Sequence, residues 1–81
     1  MTTVWGIEMT DTFGGEVNYS WVHRYNVQAT TQRGAISKLS RETGYSFRAD
    51  GAGRYNAQGA CVCAFVLDDA WDIKTHNVHT L

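Results

Sequence analysis

Between Glu16 and Ala29 the chain alternates. Tyr19, Trp21, Tyr25, Val27 and Ala29 are apolar or aromatic, Asn18, Ser20, Arg24, Asn26 and Gln28 between them are polar, and Val22 and His23 fall out of step. A period of two places one face of a strand against a core and the other in water. The period then changes within a few residues: Thr30 and Thr31 offer capping hydroxyls, Ala35, Ile36 and Leu39 recur at helical spacing, and Gly44 falls where a helix closes in a left-handed residue. The spacing predicts a helix from about Gln32 to Thr43. Gly34 in its first turn costs roughly 0.5–1 kcal/mol relative to alanine, which points to close approach of the helix to the sheet or to a partner.

Upstream, Trp5, Ile7 and Met9 alternate with Val4, Gly6 and Glu8, predicting a first strand from Thr3 to Thr10. The turn residues from Asp11 to Gly15 make it the antiparallel partner of the long second strand, which is expected to bend or bulge near His23. Downstream, Tyr45 to Ala49 read as a third strand, Asp50 to Gly53 as a turn, and Arg54 to Ala57 as a short fourth segment. Ala60 to Leu67 is the most hydrophobic run: Cys61, Cys63, Phe65 and Leu67 line one face, and Val62, Ala64 and Val66 the other. Neither face can be left in water, so this strand belongs inside the sheet. The expected fold is α+β, an antiparallel sheet in ββαβ order, extended by a further short strand, with one helix across one face.

One helix covers one face, so something else must cover the second. The C-terminal segment with Trp71, Ile73, Val78 and Leu81, or a second copy of the chain in a homodimer, would do so. Residues 1–81 are expected to form a single domain, with a core over about 3–73 and a disordered tail over about 74–81. A chain of this size buries only about 60–65% of its unfolded surface. Its three tryptophans, four tyrosines and three phenylalanines must then supply much of the core, where Trp21, Ile36, Leu39, Val62 and Phe65 are expected together. Cys61 and Cys63, two apart on one strand face, sit badly for a disulfide and read as free buried thiols in a reducing cytoplasm. No run approaches the roughly 20 apolar residues of a membrane helix, and the N-terminus has no signal-like pattern.

Candidate chemistry changes this picture little. Cys61, Cys63, His76 and His79 are zinc-ligand types, but a rigid apolar strand holds the two cysteines where a knuckle is needed. Nothing fixes a histidine near either thiol to make a nucleophile. His23 reads as a histidine at the core edge, Asp68 and Asp69 as turn or helix caps, and the glycines at 14, 15, 51 and 53 as turns that match no phosphate-binding loop. No metal, cofactor or catalytic residue is expected. Seven basic against eight acidic residues, a net charge of −1, disfavours nucleic acid. The alternative of a nucleic-acid-binding domain would rest on Arg24, Arg33, Lys38, Arg41, Arg48 and Arg54. The leading expectation is a non-enzymatic protein that binds another protein, with Arg33, Lys38 and Arg41 on the polar helix face, and Trp71 and Ile73 beyond the last apolar run, as partner-binding residues.

The passage Tyr25-Asn26-Val27-Gln28-Ala29-Thr30-Thr31 through Gly34-Ala35-Ile36-Ser37-Lys38-Leu39-Ser40-Arg41, followed by Gly53-Arg54-Tyr55 and Gly59-Ala60-Cys61-Val62-Cys63, resembles the small accessory proteins of tailed phages infecting actinobacteria. The resemblance implies a short phage-encoded protein that acts by binding a host factor in the host cytoplasm. It implies no site residue.

Overall fold

A computed structural model of the chain describes residues 2–67 and 69–81. Six strands and one helix follow in the order β1 (Thr3–Phe13), β2 (Glu16–Ala29), α1 (Gln32–Thr43), β3 (Phe47–Ala49), β4 (Arg54–Ala57), β5 (Val62–Leu67) and β6 (Val78–Thr80). They make one sheet in the spatial order β3-β4-β5-β1-β2-β6. The α+β class with a single helix stands, and β5 lies inside the sheet between β4 and β1.

Two features of the expected topology are corrected. The order is ββαββββ, and the sheet is mixed, because β6 runs parallel to β2 with Arg24 opposite Val78, Tyr25 opposite His79 and Asn26 opposite Thr80. The cause is the path out of β5. That strand is antiparallel to β1, which is antiparallel to β2, so β5 and β2 point the same way. The chain leaves β5, crosses the sheet over β1 and β2, and enters β6 in the direction it left, as a crossover must. Backbone bonds from Gln28 N–H to Leu81 O (3.2 Å) and from Leu81 N–H to Asn26 O (2.8 Å) extend this pairing to the last residue. The segment read from sequence as a tail therefore carries a strand.

The crossing depends on Gly6. A Cβ built there would stand 2.3 Å from Asp69 O and 3.4 Å from Trp71 Cδ1. Trp71 is fixed at the same place by three hydrogen bonds: its indole N–H donates to Ile7 O (3.0 Å), its backbone N–H to Asn26 Oδ1 (2.8 Å), and Asn26 Nδ2 to its carbonyl (3.0 Å).

The first hairpin closes on Gly14 and Gly15, both with positive φ (61° and 84°), the pair of left-handed residues that a two-residue turn between twisted strands requires. Its register slips between Thr10, opposite Val22, and Thr12, opposite Val17, so four residues of β2 bulge against Asp11 alone. This irregularity lies at residues 18–21, just before His23. Asp11 holds it together, accepting from Ser20 N–H (2.8 Å), Ser20 Oγ (2.5 Å) and Asn18 Nδ2 (2.9 Å). The hydrogen bond from the Ser20 hydroxyl, then that from Asn18, keeps the carboxyl well below the usual carboxylate range. Because the folded value lies under the unfolded one, ionised Asp11 supports the bulge at every pH above about 3.9, and this support fades as pH falls toward the folded value. The Asp11 carboxylate carbon followed by NMR should show no titration step near the ordinary value. A step at about pH 4 would mean that the bulge is not held this way.

The helix matches its sequence signals. Thr31 is extended (φ −135°, ψ 159°) and its hydroxyl accepts from Gly34 N–H (3.0 Å), while Gly44 is left-handed (φ 81°) and its N–H reaches Ser40 O (2.8 Å). A Cβ on Gly34 would stand 3.2 Å from Thr31 Oγ1 and 3.6 Å from Ala29 Cβ, the second an ordinary contact, so the sheet does not approach closely enough there to require glycine. Ala35, Ile36 and Leu39 bury into one cluster with Ile7, Met9, Tyr25, Val27, Val62, Ala64 and Val66. Trp21 packs half-buried against that cluster. Phe65 corrects the expected core: strand alternation turns it to the opposite face, with Cys63. Cys63 is buried there, but Cys61 precedes β5 and is exposed.

Candidate functional site

The face of the sheet away from α1 carries a row of side chains directly opposite one another on four strands. Arg54 of β4 pairs with Phe65 of β5, Phe65 with Glu8 of β1, and Glu8 with Arg24 of β2. At about 4.8 Å per strand the row spans roughly 14 Å. The Arg24 guanidinium lies over the Trp71 ring, 4.9 Å from its centroid, and the Arg54 guanidinium over the Phe65 ring at 5.7 Å. Each arginine thus holds its charge over an aromatic ring on the same side of the sheet. Arg24 also stands 3.8 Å from Glu8, and Arg54 3.8 Å from Asp50.

The adjoining row holds Asn56, Cys63 and Thr10, with Arg48 of β3 opposite Asn56. Nε of Arg24, Nε of Arg54 and Oδ1 of Asn56 are out of solvent without a hydrogen-bond partner among the described residues. Tyr19, placed by the bulge in the left-handed region (φ 56°), is 55% exposed. Partial desolvation, then the Glu8 carboxylate beside it, pushes its phenol above the ordinary value. The Cys63 thiol is pushed up too, first by burial, with nearby Arg54 opposing and Asp11 and Glu8 adding to the rise.

The five residues expected from sequence to bind a partner divide between the two sides of the sheet. Arg33, Lys38 and Arg41 are exposed on α1. Lys38 Nζ donates to Gln28 O, and Lys38 and Arg41 line a groove with Gln28 and Thr30. Trp71 lies half-buried on the opposite face, and Ile73, two residues on, is 68% exposed. The basic residues of the nucleic-acid alternative divide in the same way, with Arg24, Arg48 and Arg54 on the strand face and Arg33, Lys38 and Arg41 on the helix. Sequence reading missed the Arg54-Phe65-Glu8-Arg24 row, because its members come from four strands and only register brings them together.

The zinc-type residues are scattered. His76 packs its ring edge-on to Trp71 (4.9 Å), whereas His79 sits with Tyr25 (5.1 Å) and His23 (5.8 Å), across the sheet from Cys63. His23 is exposed rather than at the core edge. Among the described residues no three histidine, cysteine, aspartate or glutamate side chains converge to hold a metal. Asp68, half of the Asp68–Asp69 pair, lies outside the described residues. No helix among the described residues is long and apolar enough to cross a membrane. No protein-family model, curated protein or solved structure matches the chain.

Proposed function

We propose that this chain is a non-enzymatic binding protein that docks onto another protein through the strand face opposite α1. The observation that carries the reading is the pair of ring-backed arginines on one sheet face, Arg24 over Trp71 and Arg54 over Phe65. Arginine, tryptophan and tyrosine are the residue types that dominate binding energy at protein interfaces, and here the ordering cost of the long side chains is already met in the free protein. The signs along the row, positive at Arg54, negative at Glu8 and positive at Arg24, fit a protein surface that also carries both. A phosphodiester backbone would place a phosphate against Glu8, and the two rings already lie under guanidiniums instead of standing free for base stacking. The resemblance to tailed-phage accessory proteins extends the proposal to a host protein, met in the host cytoplasm.

The test uses three baits against host lysate: the native chain, Arg24→Ala with Arg54→Ala, and Arg33→Ala with Lys38→Ala and Arg41→Ala. A protein held by the native chain and the helix variant, and released about 30-fold more readily by the strand-face variant at unchanged melting temperature, supports the reading. Loss with the helix variant alone overturns it. So does retention of oligonucleotides with a steep salt dependence.

A further inference from the structure

β3 is the terminal strand of the sheet, and its backbone groups divide between two directions. Gln58 N–H donates to Ser46 O (2.8 Å) and Asp50 N–H to Arg54 O (2.8 Å), so residues 46, 48 and 50 turn their peptide groups toward β4. Antiparallel pairs alternate between bonded and unbonded, so the N–H and C=O of Phe47 and Ala49 point out of the sheet edge. A groove of about 410 Å³ opens beside this edge, between α1 and the helix-facing side of β3 and β4, with Tyr55 and Gln58 also in its lining. Residues 46–49 form one wall and Arg33, Ile36 and Ser37 of α1 the other, with no aspartate or glutamate among the lining residues.

We propose that this groove takes an extended acidic peptide segment, which adds to β3 as a further strand. An edge strand beside a helix-walled groove supplies both components of strand addition: main-chain donors and acceptors for affinity, and a cleft for alternate side chains. The peptide's apolar residues would enter the groove over Ile36 and Phe47. Acidic residues alternating with these would face Arg48, whose side chain belongs to the other face of β3, and an acidic residue entering the groove would meet Arg33. A second copy of the chain is a poor occupant. Antiparallel pairing that uses both Phe47 and Ala49 centres on Arg48 and sets it against its own copy, where like charges directly opposite destabilise the pair. A nucleic acid lacks the alternating amide donors and carbonyls that the edge would pair with.

Apart from Arg48, which borders the strand face, this surface does not overlap the Arg54-Phe65-Glu8-Arg24 row, and the Arg24 and Arg54 variants keep the failure of one proposal distinguishable from that of the other. The experiment pans a random heptapeptide library against the intact chain, then measures the selected peptides by fluorescence polarisation and amide exchange. Selected peptides should alternate apolar and acidic residues and should slow exchange at Phe47 and Ala49. Ala49→Pro removes one outward N–H and no bond to β4, and should weaken binding at least about tenfold. Arg33→Glu with Arg48→Glu should do the same and reverse the selected charge, and this pair decides the matter if the proline variant melts early. Arg24→Ala with Arg54→Ala should leave the affinity unchanged. Absence of an enriched acidic consensus, indifference to the Arg33 and Arg48 reversal, or exchange protection confined to β6 or to the Arg24 row would overturn the proposal.

Discussion

Gly6→Ala should dislodge the C-terminal crossing while leaving the helix and the β1–β2 hairpin in place. The added methyl would meet a backbone oxygen, Asp69 O, at 2.3 Å, and backbone cannot swing aside as the end of a long side chain can. Overpacking of this kind costs about 1–3 kcal/mol, and in a domain of this size each kcal/mol lowers the melting temperature by about 4–8 °C. The loss should be local first. Trp71 would leave its bonds to Ile7 and Asn26, its fluorescence should shift toward that of an exposed indole, and β6 amides should exchange faster than those of β5. A variant with native melting temperature and unchanged amide protection in β6 would show that the crossing does not pass over Gly6.

Leu39→Ala should have the larger effect on global stability. Leu39 is fully buried at the centre of the cluster that joins α1 to the sheet, flanked by Ala35 and Ile36 on the helix. Truncating such a leucine costs about 2–5 kcal/mol, set by how far the walls relax into the cavity. That is a large share of the stability of a small domain, so a drop in melting temperature of ten degrees or more is expected by circular dichroism. Lys38→Ala, one residue away on the exposed side, should shift the melt by far less. Equal effects at the two positions would mean that the helix is rotated about its axis.

What sequence made legible was whatever local chemistry determines. The bounds of α1, Gln32–Thr43, follow from a hydroxyl that caps one end and a glycine that closes the other, both within a turn of the helix. Arg54–Ala57 is likewise bounded by glycine turns that act on their immediate neighbours. β6 was not legible, because Val78–Thr80 has no pattern of its own and exists through backbone pairing with a strand more than fifty residues earlier. The need for cover on the second face followed from the two apolar faces of β5. How it is met did not, since Trp71 lies on the sheet and Ile73, on the same segment, faces solvent. One signal did lie in the sequence: Gly6 interrupts an otherwise regular strand between Trp5 and Ile7, and a glycine inside a strand marks the close approach of another backbone. The candidate binding residues separated for a related reason. Spacing tells which side chains share a helix face but not which side of a sheet that face will cover.

The placement of β1 between β2 and β5 also has a consequence in time. During synthesis β2 follows at once and can pair with β1, but β5 emerges only some fifty residues after β1. At about 5–20 residues per second, the nascent hairpin waits for seconds with one edge of β1 unpaired. An open, apolar edge of this kind recruits other chains. Glu8 and Asp11 lie on the stretch of β1 that β5 later covers, so the waiting edge is charged on both sides of Met9 and Thr10. In the folded protein these carboxylates serve the Arg24 pair and the bulge. In the unfinished chain the same charges would disfavour edge-to-edge pairing with other chains until the partner strand arrives.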